Sequence, residues 1–142
     1  MILVDTGVIF AAATRNDDHY HACAELLTSV RLAGRRLLLA PTVVAEVGYL
    51  LMTRVSPRVE EDFLRGVADG DFELVDLTSV DYARMAELVG DYGDLPLGTT
   101  DASIIALAER LGVTEIAITD RRHFTVVRPR HLGAFTLLPE RL

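Results

Sequence analysis

Four carboxylates stand where chain stability alone would not choose them, and together they point to phosphoryl chemistry. Asp5 closes the apolar run Ile2-Leu3-Val4, and Asp120 closes Ile116-Ala117-Ile118-Thr119, each at the carboxyl end of an expected buried strand. Glu46 is the only charge between Pro41 and Arg54, in a segment rich in valine and leucine. Asp101 follows Thr99-Thr100 in the first turn of another apolar-periodic segment. Plainer readings exist: Asp5 and Asp120 could accept turn amides. Asp101 could simply complement a helix N-terminus, worth about 0.3–1 kcal/mol. Glu46 resists such a reading, because no cation stands three or four residues away to offset a buried charge.

Brought to one place, four carboxylates cannot all stay ionised without a counter-ion. An oxygen-only donor set selects Mg²⁺, with Mn²⁺ as a substitute. Such ions activate water and stabilise phosphoryl oxygens in nucleases. Asp5, Glu46, Asp101 and Asp120 are therefore the candidate catalytic and metal-ligating residues. Directly after Asp120 comes a stretch with no acid that holds Arg121, Arg122, His123, Arg128, Arg130 and His131. A solvated basic surface would look the same. Beside the acids, however, Arg121, Arg122, Arg128 and Arg130 suit a phosphate backbone, and Arg35-Arg36 could add to them.

The elements that must position these groups alternate in type. Strands are expected at Ile2–Asp5, Leu37–Ala40, Phe72–Val75, Glu115–Thr119 and, as an edge, Ala134–Leu138. Between them, helical spacing runs over Gly7–Ala13, His19–Ala33, Thr42–Arg54, Pro57–Ala68, Ser79–Gly90 and Thr99–Leu111. Thr42–Arg54 is apolar nearly all round and is expected to be largely buried. In Pro57–Ala68, Val59, Phe63, Leu64 and Val67 are expected to face inward. Such alternation predicts an α/β sandwich around a mainly parallel sheet. If the fourth strand lies beside the first, Asp5 and Asp120 flank the point where strand order reverses, the usual ligand crevice of an open α/β sheet.

The 142 residues suit one domain, 1–142, with a core that needs no disulfide. The single Cys23 lies among Ala22, Ala24 and Leu26 and is expected to be a buried thiol. The formal charge is −7, yet all fourteen basic residues are arginine, which removes any lysine-based mechanism. No apolar run is long enough to span a membrane, and residues 1–5 lack the basic start of a signal peptide. A cytoplasmic location is expected.

Four segments in order, Val4-Asp5-Thr6, Pro41-Thr42-Val43-Val44-Ala45-Glu46, Leu95-Pro96-Leu97-Gly98-Thr99-Thr100-Asp101-Ala102 and Thr119-Asp120-Arg121-Arg122-His123-Phe124, carry a family resemblance over essentially the whole chain. The sequence resembles the PIN-domain ribonucleases, and among them the VapC-type toxins of prokaryotic toxin–antitoxin pairs. The resemblance implies a three-layer α/β/α fold with sheet order 3-2-1-4-5. It implies Mg²⁺-dependent endonucleolytic cleavage of structured RNA, either tRNA or rRNA, and a homodimer held inactive by a VapB-like antitoxin. It places Asp5 and Asp101 as direct metal ligands, with Glu46 and Asp120 completing the shell or orienting the attacking water. Thr6 and Thr100 become supporting hydroxyls. One departure is visible: family members often carry Ser or Thr two residues before the last Asp, where this chain has Ile118 and sets its hydroxyl at Thr119.

Competing classes have weaker support. A phosphoaspartyl phosphatase needs a second Asp where Gly7 stands, and usually a lysine. A silent RNA-binding or scaffold module on the same fold would be expected to lack one of the acids, and none is missing. A DNA nuclease would use the same metal chemistry.

Overall fold

A computed structural model describes residues 1–142. The short apolar runs become β1 (Ile2–Val4), β2 (Leu37–Leu39), β3 (Glu73–Leu74), β4 (Glu115–Ala117) and β5 (Thr136–Leu138). The helices are α1 (Thr6–Ala12), α2 (Tyr20–Leu32), α3 (Pro41–Arg54), α4 (Pro57–Ala68), α5 (Ser79–Asp91) and α6 (Thr99–Leu111). Every neighbouring strand pair is parallel and the order is β3-β2-β1-β4-β5, as expected of the resemblance. Strands begin or end a residue or two inside their expected bounds; past β4, the Ile118 N–H still donates to Leu138 O at 2.8 Å before the chain turns toward the site.

Parallel strands covered on both faces must be apolar on both faces. Accordingly β1 and β2 are wholly buried and continuous with a core running through Val8, Val43, Val47, Leu51, Ile104, Ile105 and Leu107. Strand order reverses at β1, whose register pairs Val4 with Ala117 of β4. The main-chain N–H of Asp5 extends that ladder by donating to Ala117 O at 2.9 Å. Asp5 is thereby fixed at the carboxyl edge of the sheet, where the chain turns into α1.

Two expectations about helices need correction. Only one side of α3 is buried: Val43, Val47, Gly48 and Leu51 face the core, while Tyr49 and Met52 are 61% and 47% exposed. A peripheral helix buries one stripe whatever its composition, and α3 lies against the sheet, not within it. In α4 no residue is fully buried, and Leu64 is exposed because the stripe over Val59, Phe63 and Val67 is all that α3 covers. Cys23 is buried as expected, and burial pushes its thiol up to about 11.

Arg35 and Arg36 precede β2 at the amino-terminal edge of the sheet, opposite the acids. They pair with Glu115 and Glu73, the first residues of β4 and β3. Parallel register brings strand starts together, so these arginines staple the far edge and do not extend the basic run.

Candidate active site

At the carboxyl edge of β1 and β4 lies an open cleft of about 560 Å³. Asp5, Glu46, Asp101 and Asp120 all line it, with Thr6, Thr100, Thr119 and His123 between them. The four acids arrive from four separate elements: the β1–α1 junction, the second turn of α3, the first turn of α6 and the segment after β4. No three of these groups form a closed cage as they stand; the oxygens face a shared open space.

Asp5 is the buried member, 9% exposed. It occupies the N-cap position of α1, yet its side chain caps no helix amide. Burial pushes its carboxyl up to about 7; the nearby Thr6 N–H opposes the rise, and Asp101, Glu46 and Asp120 add to it by repulsion. Asp101 is also raised, first by burial, with His123 opposing and Glu46 and Asp120 adding. Asp120 is held below the usual range, chiefly by its hydrogen bonds from Arg122. One buried carboxylate thus feels three others.

Glu46 departs from the argument that first singled it out. It is exposed to the cleft rather than buried, so helical neighbours were never needed to neutralise it. Its partner comes from another helix: Thr100 Oγ1 donates to Glu46 Oε2 at 2.8 Å. Thr100 thus reaches across from α6 to α3. Thr6 Oγ1 is buried without a partner beside Asp5, a polar atom left open next to the acids.

Hydroxyls unforeseen in the sequence hold the two helices in register. Fully buried Ser103 donates to Thr100 O at 2.6 Å, which obliges Thr42 Oγ1 to donate to Ser103 Oγ at 2.7 Å. This chain ties the first turn of α3 to the first turn of α6, and so sets Glu46 beside Thr100. Ser103→Ala leaves Thr42 Oγ1 without its partner and should cost about 1–2 kcal/mol in urea unfolding. Glu46 positioning should suffer with it. An unchanged unfolding midpoint would show that water replaces the serine.

Gly7 explains the position of Thr119. A Cβ on Gly7 would collide with Thr119 Oγ1, so a side chain there would force that hydroxyl out of its place beside α1. Ile118 points into the core at 1% exposed, and it is Thr119 that lines the cleft. The hydroxyl that the family often carries one residue earlier is thus delivered from the next position.

The basic run is mostly occupied elsewhere. Main-chain bonds from Thr125 to Arg121 and from Val127 to His123 coil residues 121–127 into a turn whose Phe124 and Val127 are buried. Arg121 donates to the Pro139 carbonyl. Arg128 donates to Gly133 O, and Arg130 reaches Glu87 on α5 at 2.8 Å. None of the four arginines lines the cleft. Arg122 touches it through Asp120, with Nε and a terminal nitrogen on the two carboxylate oxygens at 2.8 and 2.5 Å. Coiling sends successive side chains to different sides, which spacing alone does not reveal. His123, grouped in the sequence with the basic run, instead lies with Nδ1 2.6 Å from Asp101 Oδ2.

Fold and cleft together define a class. The sequence matches the PIN domain family over residues 2–128, and the chain belongs to that family. It is 33% identical to Ribonuclease VapC26 of Mycobacterium tuberculosis (strain ATCC 25618 / H37Rv) over 138 residues, 97% of this chain and all of the relative. The resemblance to VapC-type members therefore holds. Among solved structures, the fold is similar to VapC20 of Mycobacterium tuberculosis, described as a Sarcin-Ricin loop cleaving toxin. The TM-score is 0.76 at 16% identity, over 85% of this chain and 91% of that one. VapBC2 of Rickettsia felis, bound to a DNA fragment from its promoter, matches at TM-score 0.68 and 17% identity over 96% and 97% of the two chains. FitAcB of Neisseria gonorrhoeae matches at 0.66 and 17% over 96% of each. No helix is long and apolar enough to cross a membrane.

Proposed function

We propose that the chain is a Mg²⁺-dependent endoribonuclease, the growth-inhibiting toxin of a toxin–antitoxin pair, built as one nuclease domain over residues 1–142. The observation that carries this reading is the convergence of Asp5, Glu46, Asp101 and Asp120 on one cleft, with Asp5 pushed up to about 7 by burial and by its acidic neighbours. The residues fit a divalent cation. The donor set is all oxygen, the charge is in excess, and the open hydroxyl of Thr6 lies beside it.

Asp5 and Asp101 would hold the ion, and Glu46 and Asp120 would complete its surroundings or orient the attacking water. A bound divalent ion supplies charge neutralisation and Lewis acidity at a phosphoryl group. Thr100 fixes one oxygen of Glu46, which leaves Oε1 free to accept a proton from water in the cleft. Arg122, largely exposed at the rim, is the arginine placed to meet a backbone phosphate. Arg121, Arg128 and Arg130 lie off the cleft; Arg128 and Arg130 stay exposed and add positive field beside it. Structured RNA, of ribosomal or transfer type, is the proposed substrate. The naming of the ribonuclease relative supports RNA, and the toxin and VapBC2 neighbours support a VapB-like antitoxin. A homodimer acting in the cytoplasm completes the reading.

Purified protein incubated with total RNA and Mg²⁺ should yield discrete new 5′ ends that vanish when EDTA is added. Mn²⁺ should restore them. Cleavage persisting in EDTA would overturn the ion dependence, and no cleavage with either ion would overturn the nuclease assignment.

A further inference from the structure

We propose that His123 is a positioning residue that holds one oxygen of Asp101, turns the other to the cleft, and thereby tunes the ion site toward Mg²⁺ and away from Ca²⁺. This inference rests on the acids being ion ligands, as argued above.

The geometry is specific. His123 Nδ1 lies 2.6 Å from Asp101 Oδ2, and both side chains are only 23% exposed. Facing a carboxylate, Nδ1 carries its proton whether the ring is neutral or charged. One acceptor site of Oδ2 is therefore taken, and Oδ1 is the oxygen that Asp101 offers the cleft unencumbered. The backbone that carries the imidazole is held in place. Its own carbonyl accepts from Val126 and Val127 N–H at 3.1 and 3.0 Å, and buried Phe124 and Val127 pin the turn to the core.

One other acid is treated alike: Thr100 engages Oε2 of Glu46, whereas the Arg122–Asp120 pair is largely exposed and can open to an arriving ion. Protein donors thus limit how many oxygens an ion can gather. That limit discriminates between ions. Ca²⁺ takes about six to eight oxygens and accepts two from one carboxylate, whereas Mg²⁺ takes about six in a tight octahedron, several of them water. A site of single oxygens on fixed carboxylates suits the smaller ion. Imidazoles and other groups that orient metal ligands commonly change affinity by about 10–100-fold when removed.

The test titrates Mg²⁺ and Ca²⁺ separately into the full chain, without RNA, by calorimetry. Wild type, His123→Ala and His123→Asn are compared, with melting curves to establish that each is folded. In His123→Asn the side-chain N–H takes the place of Nδ1 and keeps the donor. His123→Ala should weaken Mg²⁺ binding about 10–100-fold and Ca²⁺ binding less, so that the preference for Mg²⁺ shrinks. His123→Asn should restore most of it. A wild-type Mg²⁺ to Ca²⁺ ratio in His123→Ala would overturn the proposal, as would an Asn variant as impaired as the Ala variant. If wild type binds neither ion, the failure lies with the four-acid reading; if wild type binds and His123→Ala is unchanged, it lies with His123 alone.

Discussion

Asp5→Asn should move stability and activity in opposite directions. In wild type the Asp5 carboxyl is raised from an ordinary 3.8 to about 7, so between those values the folded state holds a proton that the unfolded state has released. Stability should therefore fall as pH rises through that window, and the loss should be complete above about pH 7. The distance between the two values corresponds to at most about 4 kcal/mol, with relaxation of the cleft reducing it. In EDTA at pH 8 the amide of D5N carries no such charge, and the variant should melt higher than wild type. Added Mg²⁺ should reverse the ranking. An ion at one hundred times its dissociation constant stabilises wild type by about 2.7 kcal/mol and D5N far less. RNA cleavage by D5N should drop at least about a thousandfold, because several kcal/mol of transition-state stabilisation leave with the ligand. Thermal melts across pH 4–8 in EDTA, paired with cleavage assays in Mg²⁺, provide the check. A D5N protein less stable than wild type in EDTA at pH 8 would refute the repulsion argument even if activity vanished.

Asp81→Ala should do the reverse, costing stability while sparing chemistry. Asp81 is 3% exposed, lies outside the cleft, and has cations of its own fold to meet. Its carboxylate accepts from Thr78 N–H at 2.8 Å while Thr78 Oγ1 accepts from Asp81 N–H at 3.2 Å, a reciprocal cap on α5. Arg110 Nε on α6 reaches both oxygens at 3.0 and 3.1 Å. Burial alone would raise this carboxyl, but the Thr78 and Arg110 bonds outweigh it and leave it below its ordinary value. Removing one partner of a buried pair costs about 3–5 kcal/mol; Arg110 is partly exposed, so about 2–4 kcal/mol is expected here. The contribution is fully present above the unfolded value near pH 4 and is lost as pH falls through the depressed folded value. Denaturant unfolding of Asp81→Ala at pH 7 should show the loss, and at 25 °C the variant should still cleave RNA at wild-type rate. A variant of unaltered stability would show that the α5–α6 contact is carried by apolar packing alone.

The contrast between these two acids marks how far the sequence could be taken. Asp81 stands three residues after Thr78, the spacing of a capping box, and that signal was available in the chain. Helical spacing over Ser79–Gly90 reveals neither that cap nor the Arg110 pairing across to α6. Glu46 was singled out as a buried charge without a partner, and the structure keeps its importance while changing the reason. It faces an open cleft, and its neighbour is the hydroxyl of Thr100, 54 residues away. The arginines after Asp120 were grouped by composition. Three of the four bond away from the cleft: Arg121 from within a coiled turn, and Arg128 and Arg130 from beyond it, where the chain has already left the site.

By itself the sequence determined the inventory and its order. Apolar runs fixed which segments are strands, since a parallel sheet covered on both faces tolerates little else. Acids placed at the ends of those strands and the starts of the helices fixed the chemistry on offer, because an oxygen-only cluster has few uses besides a hard cation. The tertiary structure alone decided who faces whom. The pairing of His123 with Asp101, the hydroxyl chain from Thr42 through Ser103, and the close passage of Thr119 over Gly7 depend on helix rotation and on the path of a coiled turn. Residue spacing constrains neither. They are set by how complete elements settle against one core, and only there does Asp5 meet the three carboxylates that define its role.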